Sequence, residues 1–191
     1  MEIHCHILPD LDDGAPEERV AIEMARMAAA NGVTHVVATP HANYRFAFDP
    51  ALNRHKQEAL QQAMWDSLQI LPGCDFHLSY ENLEEIRQQP SRFTLNGHQY
   101  LLVEFADSGF PPGIDQIFVD LLAQNLLPVI THPERNPLLS EARRAVAAEQ
   151  EEEAACALFE ANPLAAIEGR TLPWQPEPVP LPRRRWFHFR L

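Results

Sequence analysis

The chain has 191 residues, 46% hydrophobic and 22% charged, which suits a single globular domain with one good core. Its formal charge of −12 argues against a nucleic-acid partner, because nothing would offset phosphate repulsion. No apolar run approaches the roughly 20 residues that span a bilayer, and Met1 leads straight into a strand, so the cytoplasm is the expected compartment.

Residues 1–6 read as a short buried strand. Side chains on a strand alternate with a period of two, so His4 and His6 share one face. Asp10 to Gly14 is a polar loop, and Pro16 suits the first turn of a helix. Val20, Met24 and Met27 recur at helical spacing, and Gly32 fits the stop. Val33 to Ala38 is a β-branched strand that ends at Thr39-Pro40-His41. A loop from Ala42 to Asp49 leads to a helix from about Pro50 to Ser67. Leu68 to Leu78 holds a strand interrupted by Pro72-Gly73, and Glu81 to Gln89 a short helix. Tyr100 to Phe105 is a strand; Ile114, Ile117, Phe118, Leu121 and Leu122 stripe a helix; Leu127 to Thr131 is the next strand.

This is β-α repeated about five times, the pattern of parallel strands with crossover helices. After Asn136 the pattern changes. Leu138 to about Asn162 reads as helical, with the acidic run Glu149 to Glu153 inside it, and no strand follows. From Pro173 the chain is Pro-rich, then mixes base and aromatic from Arg183 to Arg190. The expected division is a body over 1–172 and a tail over 173–191, the tail being the one segment suited to an anionic membrane surface.

Residues with chemistry gather where hydrophobic runs end. His41, Glu104 and His132 each close such a run, and strand ends are where α/β folds place their sites. Imidazole and carboxylate together suit zinc, manganese or iron. Glu104 ends a run too apolar for a solvated carboxylate, and a metal ion is one good partner for it. The reading from residues alone is a metal-dependent hydrolase. Asp12 and Asp13 fit a metal shell, a partner for the second nitrogen of a ligand histidine, or a plain turn at a helix start. Asp75 is placed to reach the same centre. Arg135 suits a phosphate oxyanion or a salt bridge with Glu134. His35 reads as a packed strand histidine, and His55, His77, His98 and His188 as surface or structural. A cysteine-based phosphatase needs an Arg six residues after the nucleophile; after Cys5, Cys74 and Cys156 those positions are Leu11, Tyr80 and Asn162.

Several motifs occur in order: His4-Cys5-His6-Ile7-Leu8-Pro9, Asp12-Asp13-Gly14, Ala38-Thr39-Pro40-His41, Leu95-Asn96-Gly97, Tyr100-Leu101-Leu102-Val103-Glu104-Phe105 and His132-Pro133-Glu134-Arg135. The series resembles the PHP (polymerase and histidinol phosphatase) family, and within it the bacterial manganese-dependent tyrosine-protein phosphatases of capsule and exopolysaccharide loci. The resemblance covers residues 1–137. It implies a PHP-type distorted (β/α)7 barrel with up to three divalent ions, manganese by preference. It implies removal of phosphate from a phosphotyrosine protein, a bacterial tyrosine autokinase of polysaccharide export. By motif, His4, His6, His41, Glu104 and His132 are implied ligands, and Arg135 is implied to bind the phosphoryl group. Asp75 stands where the family has Glu in a Pro-Gly-x-Glu motif, one methylene longer.

One departure bears on the fold. The family's late Ser-Asp-Ala-His motif, which supplies two more ligands, is absent from this sequence. Leu139 to Arg143, Leu158-Phe159, Asn162-Pro163 and Gly169-Arg170 nevertheless resemble the C-terminal helix that follows it. The expectation is a chain shortened near Asn136-Pro137, with about five βα units plus a C-terminal helix and an incomplete barrel. The competing readings are a non-catalytic remnant of the family and another PHP phosphoesterase, such as histidinol-phosphate phosphatase.

Overall fold

The protein was analysed as a computed structural model, which describes residues 1–105, 111–132, 135 and 162–172. Strand and helix alternate: β1 (Glu2–Cys5), α1 (Glu18–Ala30), β2 (His35–Ala38), β3 (His41–Ala42), α2 (Pro50–Met64), β4 (Gln69–Pro72), β5 (Asp75–His77), α3 (Tyr80–Gln88), β6 (Tyr100–Glu104), α4 (Ile114–Ala123), β7 (Leu127–Ile130) and α5 (Asn162–Ile167). Two short 3-10 turns, Pro90–Arg92 and Leu95–Gly97, lie between α3 and β6. Side chains cap α2 and α3, while α1 starts at Glu18, two residues beyond Pro16. Asp49 accepts from the backbone N–H of Ala51 and Leu52, and Pro50 opens α2 without an N–H to lose. Ser79 caps α3 through the N–H of Asn82. No described helix is long and apolar enough to cross a membrane.

All described strand pairings are parallel, in the orders β1-β2-β4 and β3-β5-β6-β7. The two sheets are joined through two chain segments that change sheet side by side. β2 passes into β3 across Thr39-Pro40, and β4 into β5 across Gly73-Cys74. Ala38 pairs with Pro72 before the break, and His41 with Asp75 after it. The cause is local. Pro40 and Pro72 have no N–H to give a ladder. A Cβ on Gly73 would lie 2.6 Å from Val37 Cγ1, so the two segments approach closely only with glycine there.

Both sheet faces are covered, as parallel sheets require. In β2, Val36 joins a core with Ala21, Ala25 and Leu60 of α1 and α2, while Val37 joins a separate core with Leu95 and Leu102. In β6, Leu101 and Val103 pack with Phe76, Ile86 and Leu121, while Tyr100 and Leu102 face the other way, toward Ala166 and Ile167 of α5. Ile3, Leu127 and Val129 border this last cluster, so β1 and β7 pack against the same core. No ladder joins β1 to β7 among the described residues.

The elements differ from the sequence expectation in three respects. The first strand is only half-buried, because among the described residues it pairs on one side alone. The expected strand Leu68 to Leu78 is two strands in two sheets. His41 does not end a strand but opens the two-residue β3, too short to show any periodicity. The expected helix from Leu138 and the tail over 173–191 lie outside the described residues; α5 begins at Asn162, where that helix was expected to end.

Residues 162–172 are tied to the sheet by few groups. The Tyr100 hydroxyl donates to the Arg170 carbonyl at 2.7 Å, and Ile167 is 3% exposed. Tyr100→Phe is expected to cost about 1 kcal/mol and Ile167→Ala about 2–4 kcal/mol, read from urea unfolding. Unchanged midpoints for both would show that this segment adds nothing to stability.

Candidate metal centre

The sheet switch brings imidazoles and carboxylates together at the C-terminal ends of the strands. Register does much of the placing: His41 pairs with Asp75 across β3–β5, and His77 with Glu104 across β5–β6. Asp75 is 0% exposed and sits centrally. Its Oδ1 accepts from the Thr131 hydroxyl at 3.2 Å. Its Oδ2 faces three imidazole nitrogens: His4 Nε2 at 3.2 Å, His41 Nδ1 at 3.4 Å and His6 Nε2 at 3.9 Å. Glu104 Oε2 is 3.5 Å from His41 Nδ1. The His132 ring lies 4.7 Å from that of His4, centroid to centroid, held by a left-handed backbone at φ 45°. That conformation is costly for a non-glycine residue.

Asp12 organises the near side of the cluster. Its Oδ2 accepts from His6 Nδ1 at 2.7 Å and from the His41 backbone N–H at 3.0 Å, and its Oδ1 from the Gly14 N–H at 3.0 Å. A carboxylate can only accept, so His6 carries its proton on Nδ1 and turns the Nε2 lone pair inward. Gly14 is obligatory here, since a Cβ would lie 2.0 Å from the His6 carbonyl oxygen. Of the readings open for Asp12, the orienting partner fits these bonds. Asp13 is exposed and turned to the cluster, with Oδ1 3.5 Å from His41 Nε2.

The donor set fits divalent cations. Three overlapping groups each place their ligand atoms within 4.8 Å of one another: His4, His6 and Asp75; His6, Asp13 and His41; His41, Asp75 and Glu104. His41 Nδ1 is buried and makes no hydrogen bond; neither nearby carboxylate meets it at a bonding angle. One carboxylate oxygen cannot satisfy three surrounding imidazoles by hydrogen bonding, whereas cations take up lone pairs from all of them. The charge balance agrees. Burial opposes charge on His41, but the carboxylates of Glu104, Asp75 and Asp13 outweigh it and hold its pKa above the ordinary value. Burial likewise opposes the Asp75 carboxylate, yet the hydrogen bond from His4 and the charges of His4, His41 and His6 lower its pKa. For Asp12, burial is outweighed by the His6 and Gly14 hydrogen bonds, the His6 charge and the His41 N–H, and the pKa again falls.

His4, His6, His41, Asp75 and Glu104 place ligand atoms in overlapping groups, and the His132 ring lies beside that of His4. Arg135 is exposed beyond His132, with its N–H bonded to the His132 carbonyl at 2.9 Å. Glu134, its expected alternative partner, lies outside the described residues. His77 is a correction. It was read as surface or structural, but its Nδ1 is 3.9 Å from Glu104 Oε2 at the edge of the cluster. Asp75-x-His77 has the same period-two spacing as His4-x-His6, and that was the missed signal. Thr131 was missed because a buried hydroxyl that anchors a carboxylate has no pattern of its own. His35 is half-buried, with Nδ1 2.9 Å from the Thr34 hydroxyl. The thiols are unsuited to nucleophilic work. Burial, with Glu2 and Asp12 nearby, pushes Cys5 up to about 11. Burial raises Cys74 well above the ordinary value as well.

Parallel strands that end in such a cluster define the PHP-type α/β class. The chain belongs to the capsular polysaccharide synthesis family CpsB/CapC, whose model matches residues 1–161. It is 37% identical over 145 residues to the tyrosine-protein phosphatase YwqE of Bacillus subtilis, a match covering 74% of this chain and 57% of that protein. It is 26% identical over 150 residues to the tyrosine-protein phosphatase CpsB of Streptococcus pneumoniae, covering 76% of this chain and 61% of that one. The chain therefore spans less than two thirds of these relatives. A chain from the crystal structures of YwqE and CpsB, described as unique metal-dependent tyrosine phosphatases, superposes with a TM-score of 0.67 at 31% identity. That match covers 85% of this chain and 76% of the other.

The pKa directions fix a pH dependence for protein stripped of metal. Asp12 and Asp75 ionise below the ordinary aspartate value of 3.8. Depressed carboxylates stabilise fully above their unfolded pKa and lose that contribution as pH falls through the folded one. His41, with a raised pKa, contributes fully below 6.5 and loses its share as pH rises through its folded value. Urea midpoints are expected to drop on the acid side below about 3.8, and Asp12→Asn to flatten that limb. An identical acid limb in the variant would contradict the Asp12 assignment.

Proposed function

We propose that this chain is a metal-dependent protein-tyrosine phosphatase that acts on a bacterial tyrosine autokinase of capsular or exopolysaccharide synthesis in the cytoplasm. The observation that carries the reading is the convergence of three imidazole nitrogens on one oxygen of buried Asp75, with Glu104 beside them. Family membership and the activity named for the relatives support it. The phosphatase domain is residues 1–172, and 173–191 is a tail.

His4, His6, His41, Asp75, Glu104 and His132 are the proposed ligands, and manganese the proposed ion. When bound, such ions supply Lewis-acid charge and lower the pKa of water. The chain's own residues do the rest. Asp12 fixes the His6 tautomer and, through the His41 N–H, the start of β3. Thr131 holds Asp75 so that one oxygen stays turned to the histidines. Arg135, at the exposed rim, binds the phosphoryl oxygens through its planar guanidinium. Phe46 stacks parallel to the His41 ring at 5.8 Å and shields that side from water. Cys5, protonated at neutral pH, takes no nucleophilic part.

Full-length chain with added manganese is expected to hydrolyse a phosphotyrosine peptide, and a chelator to abolish the reaction. Turnover that persists in chelator, or that prefers histidinol phosphate, would overturn the reading. Asp12→Ala is expected to weaken manganese binding about 10- to 100-fold, the usual effect of removing a ligand's orienting partner. A metal titration in which this variant matches the parent would show that Asp12 does not position His6.

A further inference from the structure

We propose that the cavity between α2 and the 3-10 turns over residues 90–97 is a second binding site, for an organic anion, separate from the metal centre. The cavity holds about 330 Å³, within the range of small-molecule pockets. None of the proposed metal ligands lines it.

Its charge runs against the rest of the chain. Acidic residues outnumber basic ones 27 to 15, yet the lining contains Arg54 and Arg92 and no carboxylate. Among the described residues neither guanidinium forms an ion pair; Arg92 donates only to Gln89 Oε1 and lies over the Phe93 ring. Two uncompensated guanidiniums on one concave surface select an anion, with planar donors suited to phosphate or carboxylate. A third donor adds to them. Asn53, on the same wall, has a buried Nδ2 that donates to nothing among the described residues. Buried polar groups are rarely left so, and a turn of the side chain would offer the amide to an acceptor in the cavity. The rest of the wall is mixed: Gln57, Ser91 and Asn96 are polar, while Leu8, Pro40, Phe48 and Pro50 form an apolar part that suits a carbon body attached to the anion. Leu8, Pro40 and Gly73 are within two residues of His6, His41 and Asp75, so a ligand here would rest on backbone that carries the metal centre.

The test needs neither metal nor turnover, so its failure is separate from failure of the phosphatase reading. Full-length chain, dialysed free of metal and chelator, is titrated with phenylphosphonate, which is not hydrolysed. Saturable binding is expected, with shifts of the Asn53 side-chain amide and of the Arg54 and Arg92 Nε–H signals by NMR. R54Q/R92Q is expected to weaken binding at least tenfold. Asn53→Asp, nearly isosteric, is expected to weaken it similarly and serves if the double variant misfolds. Inorganic phosphate is expected to bind more weakly than phenylphosphonate. No saturable binding, shifts confined to the histidine cluster, or unchanged affinity in folded variants would overturn the site. Equal affinity for inorganic phosphate would overturn the apolar half of the assignment.

Discussion

Asp75 has no access to solvent, and a carboxylate in that position must be compensated or give up its charge. The fold compensates it asymmetrically. Thr131, at the end of β7, takes one oxygen; three histidines from β1, the turn after it, and β3 surround the other. The histidines in turn gain a common anion that holds them in one place. Three separate stretches of chain, around His4 to His6, His41 and Thr131, therefore meet at a single side chain.

That arrangement exists because two neighbouring strands break at the same level. Had β2 and β4 run on without interruption, His41 and Asp75 would have continued the pleat of the first sheet. Prolines that cannot donate and a glycine that admits close approach let both strands shift into the second sheet together. A broken ladder costs hydrogen bonds. Burial on both faces of the sheets, with Val36 and Val37 feeding two different cores, offsets that cost. The left-handed backbone at His132 is a second local cost borne next to the same centre.

Electrostatics divides the surface by purpose. Acidic groups dominate the chain and crowd the histidine cluster, where they raise the pKa of His41 against the effect of its burial and would attract a cation in the same way. Burial, reinforced by the nearby carboxylates, raises the thiols of Cys5 and Cys74. At the cavity beside α2 the sign reverses locally at Arg54 and Arg92, and Pro40 of its lining is the chain neighbour of His41.

The amino-acid sequence by itself determined the βα rhythm, the start of α2 at Pro50, and the positions of His4, His6, Glu104 and His132 at or near strand ends. These are local properties: period-two alternation, capping side chains and turn residues act over a few neighbours. The ordered motifs also determined the family. What sequence could not determine was which residue occupies the centre. Asp75 was legible only as a residue able to reach the centre, and His77 not at all, because their places come from register, which pairs them with His41 and Glu104 on other strands. The role of Asp12 stayed open for the same reason: its three donors include a backbone N–H 29 residues away. Only the tertiary structure decided these points, because burial and long-range pairing set a carboxylate's partners, and neither is carried by the residues beside it.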